Sequence, residues 1–299
     1  MMTRIPVLLD TDIGSDIDDA VALAYLLSQP RCDLLGITTV TGEPDKRAML
    51  ADALCRAFGR TDMPIHSGAA RPMLVRQRQP VAHQGGVLAK WAHREAFAPN
   101  AAVDFLRQTI RSRPGEVTLL SIGPLTNVGL LYALDPQIPT LLKQHVMMAG
   151  HYLHKGLEHG PLEWNAMLDP HATAIVFAAE VPSVTCIGLD VTTRCRMPAE
   201  ECRRRFSKGP LRAVLDMAEV WFRQRPEIIF HDPLAAAIVF EPGLCDYVEG
   251  RVEIELQSPR LAGFTAFDPN VRPAPHRVAS EVRSEKFLDH YFATVSAQA

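Results

Sequence analysis

Apolar and polar positions alternate along this chain in a way that changes period repeatedly. Residues 5–9 form a short apolar run that ends in acids, which predicts a buried strand. Residues 17–27 follow with apolar positions at helical spacing. The pattern then repeats. Residues 34–40 are rich in β-branched types and read as a strand, and residues 46–58 as a helix. Further along come a helix at 101–111, a strand at 117–122, a helix at 125–134 and a strand at 145–148. A helix at 170–179, a strand at 184–189 and a helix at 211–222 complete the reading. Repeated βα units predict an α/β fold: a mostly parallel, mixed central sheet covered by helices on both faces, of Rossmann-like architecture. In such sheets ligands bind at the carboxyl ends of strands.

Two stretches break the alternation. Residues 71–86 are rich in Pro, Arg and Gln, and residues 151–161 hold three His and two Gly. Both read as long loops, the usual places for lids and binding segments. No internal repeat, low-complexity tract or linker divides the chain, so residues 1–299 are expected to form one domain.

Composition narrows the function. The chain has 299 residues, 47% of them hydrophobic, with a net charge of −3. No basic stripe appears, which argues against nucleic acid as a partner. The longest apolar runs, such as 20–27, are too short to span a bilayer, so no membrane role is expected. The first residues carry no apolar signal-peptide core, and a cytoplasmic protein is expected. Cys32, Cys55, Cys186, Cys195, Cys202 and Cys245 form no Cys-x-x-Cys pair and read as reduced, mostly buried thiols.

The strongest chemical signal is acidic. Asp10, Asp12, Asp16, Asp18 and Asp19 crowd into Leu9-Asp10-Thr11-Asp12-Ile13-Gly14-Ser15-Asp16-Ile17-Asp18-Asp19-Ala20. Carboxylates this close repel one another unless a cation or proton compensates. A hard cation with oxygen ligands, Ca²⁺ or Mg²⁺, is the natural partner. Capping and dipole effects at a helix start explain the later acids, but not Asp10 and Asp12 at the end of an apolar strand. An EF-hand loop from Asp10 needs Glu at its twelfth position, where Val21 stands. A phosphatase of the haloacid dehalogenase type also opens with Asp-x-Asp after a strand. It takes Thr or Val where this chain has Gly14.

Asp-Thr-Asp-x-Gly followed by Asp-Asp-Ala resembles the opening motif of the nucleoside hydrolase family (inosine-uridine preferring type). Most members have one residue between the Gly and the paired acids; here Ser15, Asp16 and Ile17 intervene. Gly123-Pro124-Leu125-Thr126-Asn127, Met147-Met148-Ala149-Gly150, Glu163-Trp164-Asn165 with Asp169-Pro170, and His231-Asp232-Pro233-Leu234-Ala235 resemble its later motifs, in order.

The resemblance implies calcium-dependent hydrolysis of the N-glycosidic bond of ribonucleosides, releasing ribose and a free base. It implies that Asp12, Asp19, Asp232 and the main-chain oxygen of Ile122 hold Ca²⁺, and that Asp12 also activates water. Asp18, Asn165 and Asp232 would hold ribose hydroxyls, Glu163 the far end of the sugar, and Met148 and Trp164 would line the sugar site. His231 would protonate the leaving base, and His83 would line the base pocket. Members are commonly dimers or tetramers, so a homo-oligomer is expected. Glu43, after Val40-Thr41-Gly42, stands where many members have a sugar-binding Asn; an extra carboxylate there should change the polarity beside ribose and metal. A second family Asn has no match near Leu157. A phosphatase using Asp10, or a calcium-dependent ribonucleoside-binding protein without turnover, are the competing readings.

Overall fold

The computed structural model describes residues 3–155 and 160–296. A nine-stranded sheet runs through the molecule. Its strands are β1 (Ile5–Thr11), β2 (Cys32–Thr39), β3 (Ile65–Ser67), β4 (Thr118–Ser121), β5 (Gln144–Met148) and β6 (Val184–Ile187). Two short strands, β7 (Arg196–Pro198) and β8 (Glu227–Ile229), pair with each other apart from it. β9 (Cys245–Ile254), β10 (Thr265–Asp268) and β11 (His276–Val282) complete the large sheet. Its order is β10-β9-β11-β6-β5-β4-β1-β2-β3. The run from β3 to β11 is parallel, and β9 and β10 pair antiparallel at one edge.

Side-chain alternation builds the layers. Val7 and Leu9 point into one core with Leu120, Val146 and Met148, whereas Leu8 points into the other with Leu119 and Met147. Both faces are covered, which is why these strands read as continuous apolar runs rather than alternating ones. Truncating such a fully buried leucine to alanine typically costs about 2–5 kcal/mol. Helices Asp18–Ser28, Pro44–Ala57, Leu211–Trp221, His231–Ile238 and Ser284–Ser296 pack on the first face. Ala102–Ser112, Thr126–Leu134 and Pro170–Ala178 cover the second.

The predicted helices and strands are present, with ends shifted by a residue or two. Two boundaries change character. The strand expected to 189 stops at Ile187, and Leu189–Thr192 turns helical. The loop expected to 86 tightens into a 3₁₀ helix from His83. The 151–161 loop is described only in part, and the position of Leu157 lies outside the described residues.

β1 lies between β2 and β4, where the winding of the sheet reverses. That crevice, beyond the carboxyl ends of the strands, is where an open α/β sheet has room for a ligand. All six cysteines are free thiols, and five of them are buried.

Candidate active site

β1 ends with Asp10 and Thr11, and the chain then makes a sharp turn into helix Asp18–Ser28. Gly14 makes the turn possible. Its φ is +117°, and a Cβ there would lie 2.7 Å from Leu50 Cδ1. The carbonyls of this turn need donors, and fully buried Arg47 provides them. Its guanidinium donates to the carbonyls of Asp12 and Ile13, to Ser15 Oγ, and to Gly42 O at 2.8 Å. Gln84 closes the same turn from the other side, donating to Asp16 O at 2.8 Å.

Asp10 faces away from the crevice. It is fully buried and accepts from Thr38 Oγ1 at 2.5 Å and Asn127 Nδ2 at 2.8 Å. Burial raises its carboxyl to about 7. Asn127 also donates to Thr39 O and accepts from Ala69 N, so it ties β1, β2 and the loop after β3 together. Thr126 and the N–H of Met73 donate to Asp169 Oδ2, which joins two more motif segments. Thr126, Asn127 and Asp169 therefore clamp the strand ends beneath the site rather than forming its wall. A phosphatase reading needs Asp10 as an exposed nucleophile, and the geometry rules that out.

Asp12, Asp18, Asp19 and Asp232 face the crevice. Oxygens of Asp18, Asp19 and Asp232 lie within 4.8 Å of one another, and all three residues are buried. The Asp232 N–H donates to Asp18 Oδ2 at 3.2 Å. Thr11 Oγ1 and the Asp12 N–H both donate to Asp19 Oδ1. Burial, reinforced by neighbouring acids, holds these three carboxyls well above the usual carboxylate range. Asp12 is raised by burial as well, against the pull of Arg47 and Gln79. Such a cluster takes up protons or a cation. An all-oxygen donor set drawn from distant segments fits a hard metal ion. Asp18, expected to hold a ribose hydroxyl, is one of these three acids, whereas Asp12, expected to hold the ion, is not among them.

These acids floor a cavity of about 850 Å³. The eleven residues to which the resemblance gives a metal, catalytic or substrate role all line it: Asp12, Asp18, Asp19, His83, Ile122 and Met148, and likewise Glu163, Trp164, Asn165, His231 and Asp232. Asn165 donates to Ile122 O at 2.9 Å and to Met148 O at 3.0 Å, which joins the ends of β4 and β5. Glu163 caps helix Trp164–Leu168. Its carboxylate accepts from the N–H groups of Gly150, Asn165 and Ala166, leaving little capacity for a ligand. Trp164 is 47% exposed at the rim, so core packing does not explain it. His231 opens helix His231–Ile238, and its Nδ1 lies 2.7 Å from Thr192 Oγ1. His83 is exposed at the mouth.

The effect expected of Glu43 is overturned. Glu43 does not line the cavity. Its carboxylate accepts from Lys46 Nζ at 2.5 Å and Ala82 N at 2.9 Å, so it anchors the 71–82 segment from behind. That segment brings in residues the sequence reading missed. Gln79 is buried and donates to Asp12 Oδ2. Arg78, Trp221 and Arg225 also line the cavity. Arg47 and Gln79 carried no signal beyond a helical pattern and an aperiodic loop.

The family model described as inosine-uridine preferring nucleoside hydrolase matches residues 7–289. This chain belongs to the nucleoside hydrolase family. Among curated relatives of this nucleoside hydrolase, the pyrimidine-specific ribonucleoside hydrolase RihA of Citrobacter koseri is 32% identical over 282 residues, 88% of each chain. RihA of Shewanella woodyi is 32% identical over 283 residues, 89% of each chain. Solved structures share the fold. A plant nucleoside hydrolase superposes with a TM-score of 0.85 at 23% identity, covering 98% of this chain and 99% of that one. A purine-preferring ribonucleoside hydrolase from Gardnerella vaginalis gives 0.84 at 23% identity, covering 98% of each. The chain is thus an enzyme of the nucleoside hydrolase type, and no helix among its described residues is long and apolar enough to cross a membrane.

Proposed function

We propose that this enzyme hydrolyses the N-glycosidic bond of ribonucleosides with Ca²⁺ bound at the acidic floor of the cavity. One observation carries the reading. Acids from the β1 turn and from His231–Ile238, an amide on Trp164–Leu168 and the ends of β4 and β5 converge on one cavity at the sheet's switch point. Asp12, Asp19 and Asp232, with Ile122 O, would hold the ion; Asp18 is near enough to share that task. Calcium bound there would acidify and position a water beside the ribose diol.

The protein's own groups then divide the work. Asp12 takes the proton of the attacking water as general base. Asp18, Asp232 and Asn165 hold ribose hydroxyls, and Met148 and Trp164 pack against the sugar. Carboxylate and amide oxygens around the ring favour the positive charge that develops as the bond to the base breaks. Glu163 acts mainly by fixing Asn165, through the helix it caps. His231, steadied by Thr192, hands a proton to the leaving base. His83 borders the base. A homo-oligomeric state and a cytoplasmic setting belong to this reading, the first resting on the family resemblance.

Incubation with calcium and uridine, cytidine, inosine and adenosine tests the proposal. Free ribose and free base should appear in equal amounts from at least one of them. Binding of ribonucleosides with no released base would mean a binding protein, and intact nucleosides without binding would remove the substrate class.

A further inference from the structure

Residues 71–82 cross over the acidic turn and are tied down along their length. The Met73 N–H donates to Asp169, Gln77 Nε2 to Ala70 O at 2.7 Å, and the Ala82 N–H to Glu43 at 2.9 Å. Gly42 lets the strap sit low. A Cβ on it would lie 2.4 Å from Pro80 Cα and 2.5 Å from Gln79 O. Gln77 Oε1 accepts from the Gln79 N–H at 2.7 Å, which sets the backbone at that residue.

The outcome is a buried amide, 8% exposed, inside an otherwise carboxylate-rich cavity. Gln79 Nε2 donates to Asp12 Oδ2, and Gln79 Oε1 accepts from Trp164 Nε1. An indole nitrogen can only donate, so Trp164 dictates which end of the amide is oxygen. The NH₂ end is thereby directed at Asp12. A carboxylate otherwise rotates about a soft torsion, and a general base has to be held at the water it deprotonates. Trp164 is half exposed, so its indole N–H is fixed by this contact rather than by packing.

We propose that Gln79 is a positioning residue for the reaction: clamped by Trp164, its amide holds one oxygen of the Asp12 carboxylate and leaves the other to the reacting water.

This inference rests on the proposed ribonucleoside hydrolysis, and its test separates the two. Gln79→Glu keeps the length and the acceptor for Trp164 but loses the donor to Asp12. Its kcat should fall about 10- to 100-fold, the range for losing a partner that orients an active-site ligand. KM should stay within about threefold, since ground-state binding is untouched. The loss should be the same for a ribonucleoside and for p-nitrophenyl riboside, because the defect lies in water activation rather than in departure of the base. Gln79→Met, uncharged and of similar length, should show the same kcat loss and decides the matter if the added carboxylate unfolds the chain. Trp164→Phe should give a smaller fall. Wild-type kcat in Gln79→Met, or a change confined to KM or to the melting temperature, would overturn the proposal and leave Gln79 as a fastener of the strap. If the wild-type enzyme releases no ribose at all, the function reading fails instead.

Discussion

Arg47→Met is the sharpest probe of how the acidic turn is held. Methionine keeps much of the packed stem and removes the charge and every donor. Arg47 is fully buried, and the carbonyls of Gly42, Asp12 and Ile13 all accept from it. A buried acceptor left without a donor costs about 1–3 kcal/mol. Local relaxation offsets part of the sum, and removal of one partner from a buried charged cluster typically costs about 3–5 kcal/mol in all. At about 2 °C per kcal/mol for a chain of this size, the melting temperature should drop by roughly 6–10 °C. Thermal and urea denaturation, each monitored by circular dichroism in the presence of calcium, would measure it. A melting temperature within about 2 °C of wild type, with an unchanged urea midpoint, would refute the assignment of Arg47 as the residue that satisfies this turn.

Three further outcomes are expected. A 2′-deoxyribonucleoside should be a poorer substrate than its ribo counterpart by a factor of about 10⁴–10⁵, because its missing hydroxyl leaves buried polar groups unpaired; similar kcat/KM values would contradict the diol site. His231→Ala should slow a natural nucleoside far more than p-nitrophenyl riboside, whose leaving group departs as an anion; an equal loss on both would make His231 a support of Asp232 instead. His145 is fully buried between Ser121 and Tyr132, and burial lowers its pKa to about 3. The unfolded chain takes up that proton near its ordinary value, so stability present at neutral pH is lost as the pH falls. From about pH 6.5 towards 4, wild type should lose about 1.4 kcal/mol per pH unit more than His145→Asn, measured by urea denaturation with calcium present; parallel pH profiles would contradict this.

The sequence showed the half of the fold in which period and position agree. Val7 to Leu9 and the acids after them are legible because a strand buried on both faces must be continuously apolar, and because repelling carboxylates at its end need a reason. The antiparallel edge was harder to see. β9 alternates between buried and exposed positions and has no helix before its partner, so the βα rhythm does not extend to it. The candidate site divides in the same way. Asp12, Asp18 and Asp19 stand out by chemistry, and Asp232 only through the family motif that it resembles. Gln79 does not, because an amide in an aperiodic loop acquires meaning only when Gly42, Glu43 and Trp164 bring it to Asp12. Arg47 resembles any helix-surface arginine until the turn folds over it. Glu43 was misjudged because its place in the chain lies near the site while its carboxylate turns to Lys46 and Ala82.

Metal-dependent turnover at this cavity is the central claim, and ribose release by one enzyme sample in three states tests it most directly. The sample is assayed as prepared with calcium, after treatment with a chelator, and after calcium is restored. Ribose should form from a ribonucleoside in the first state, stop in the second and resume in the third. Undiminished release after chelation, or restoration by no divalent ion, would contradict the claim that Asp12, Asp19 and Asp232 act through a bound metal.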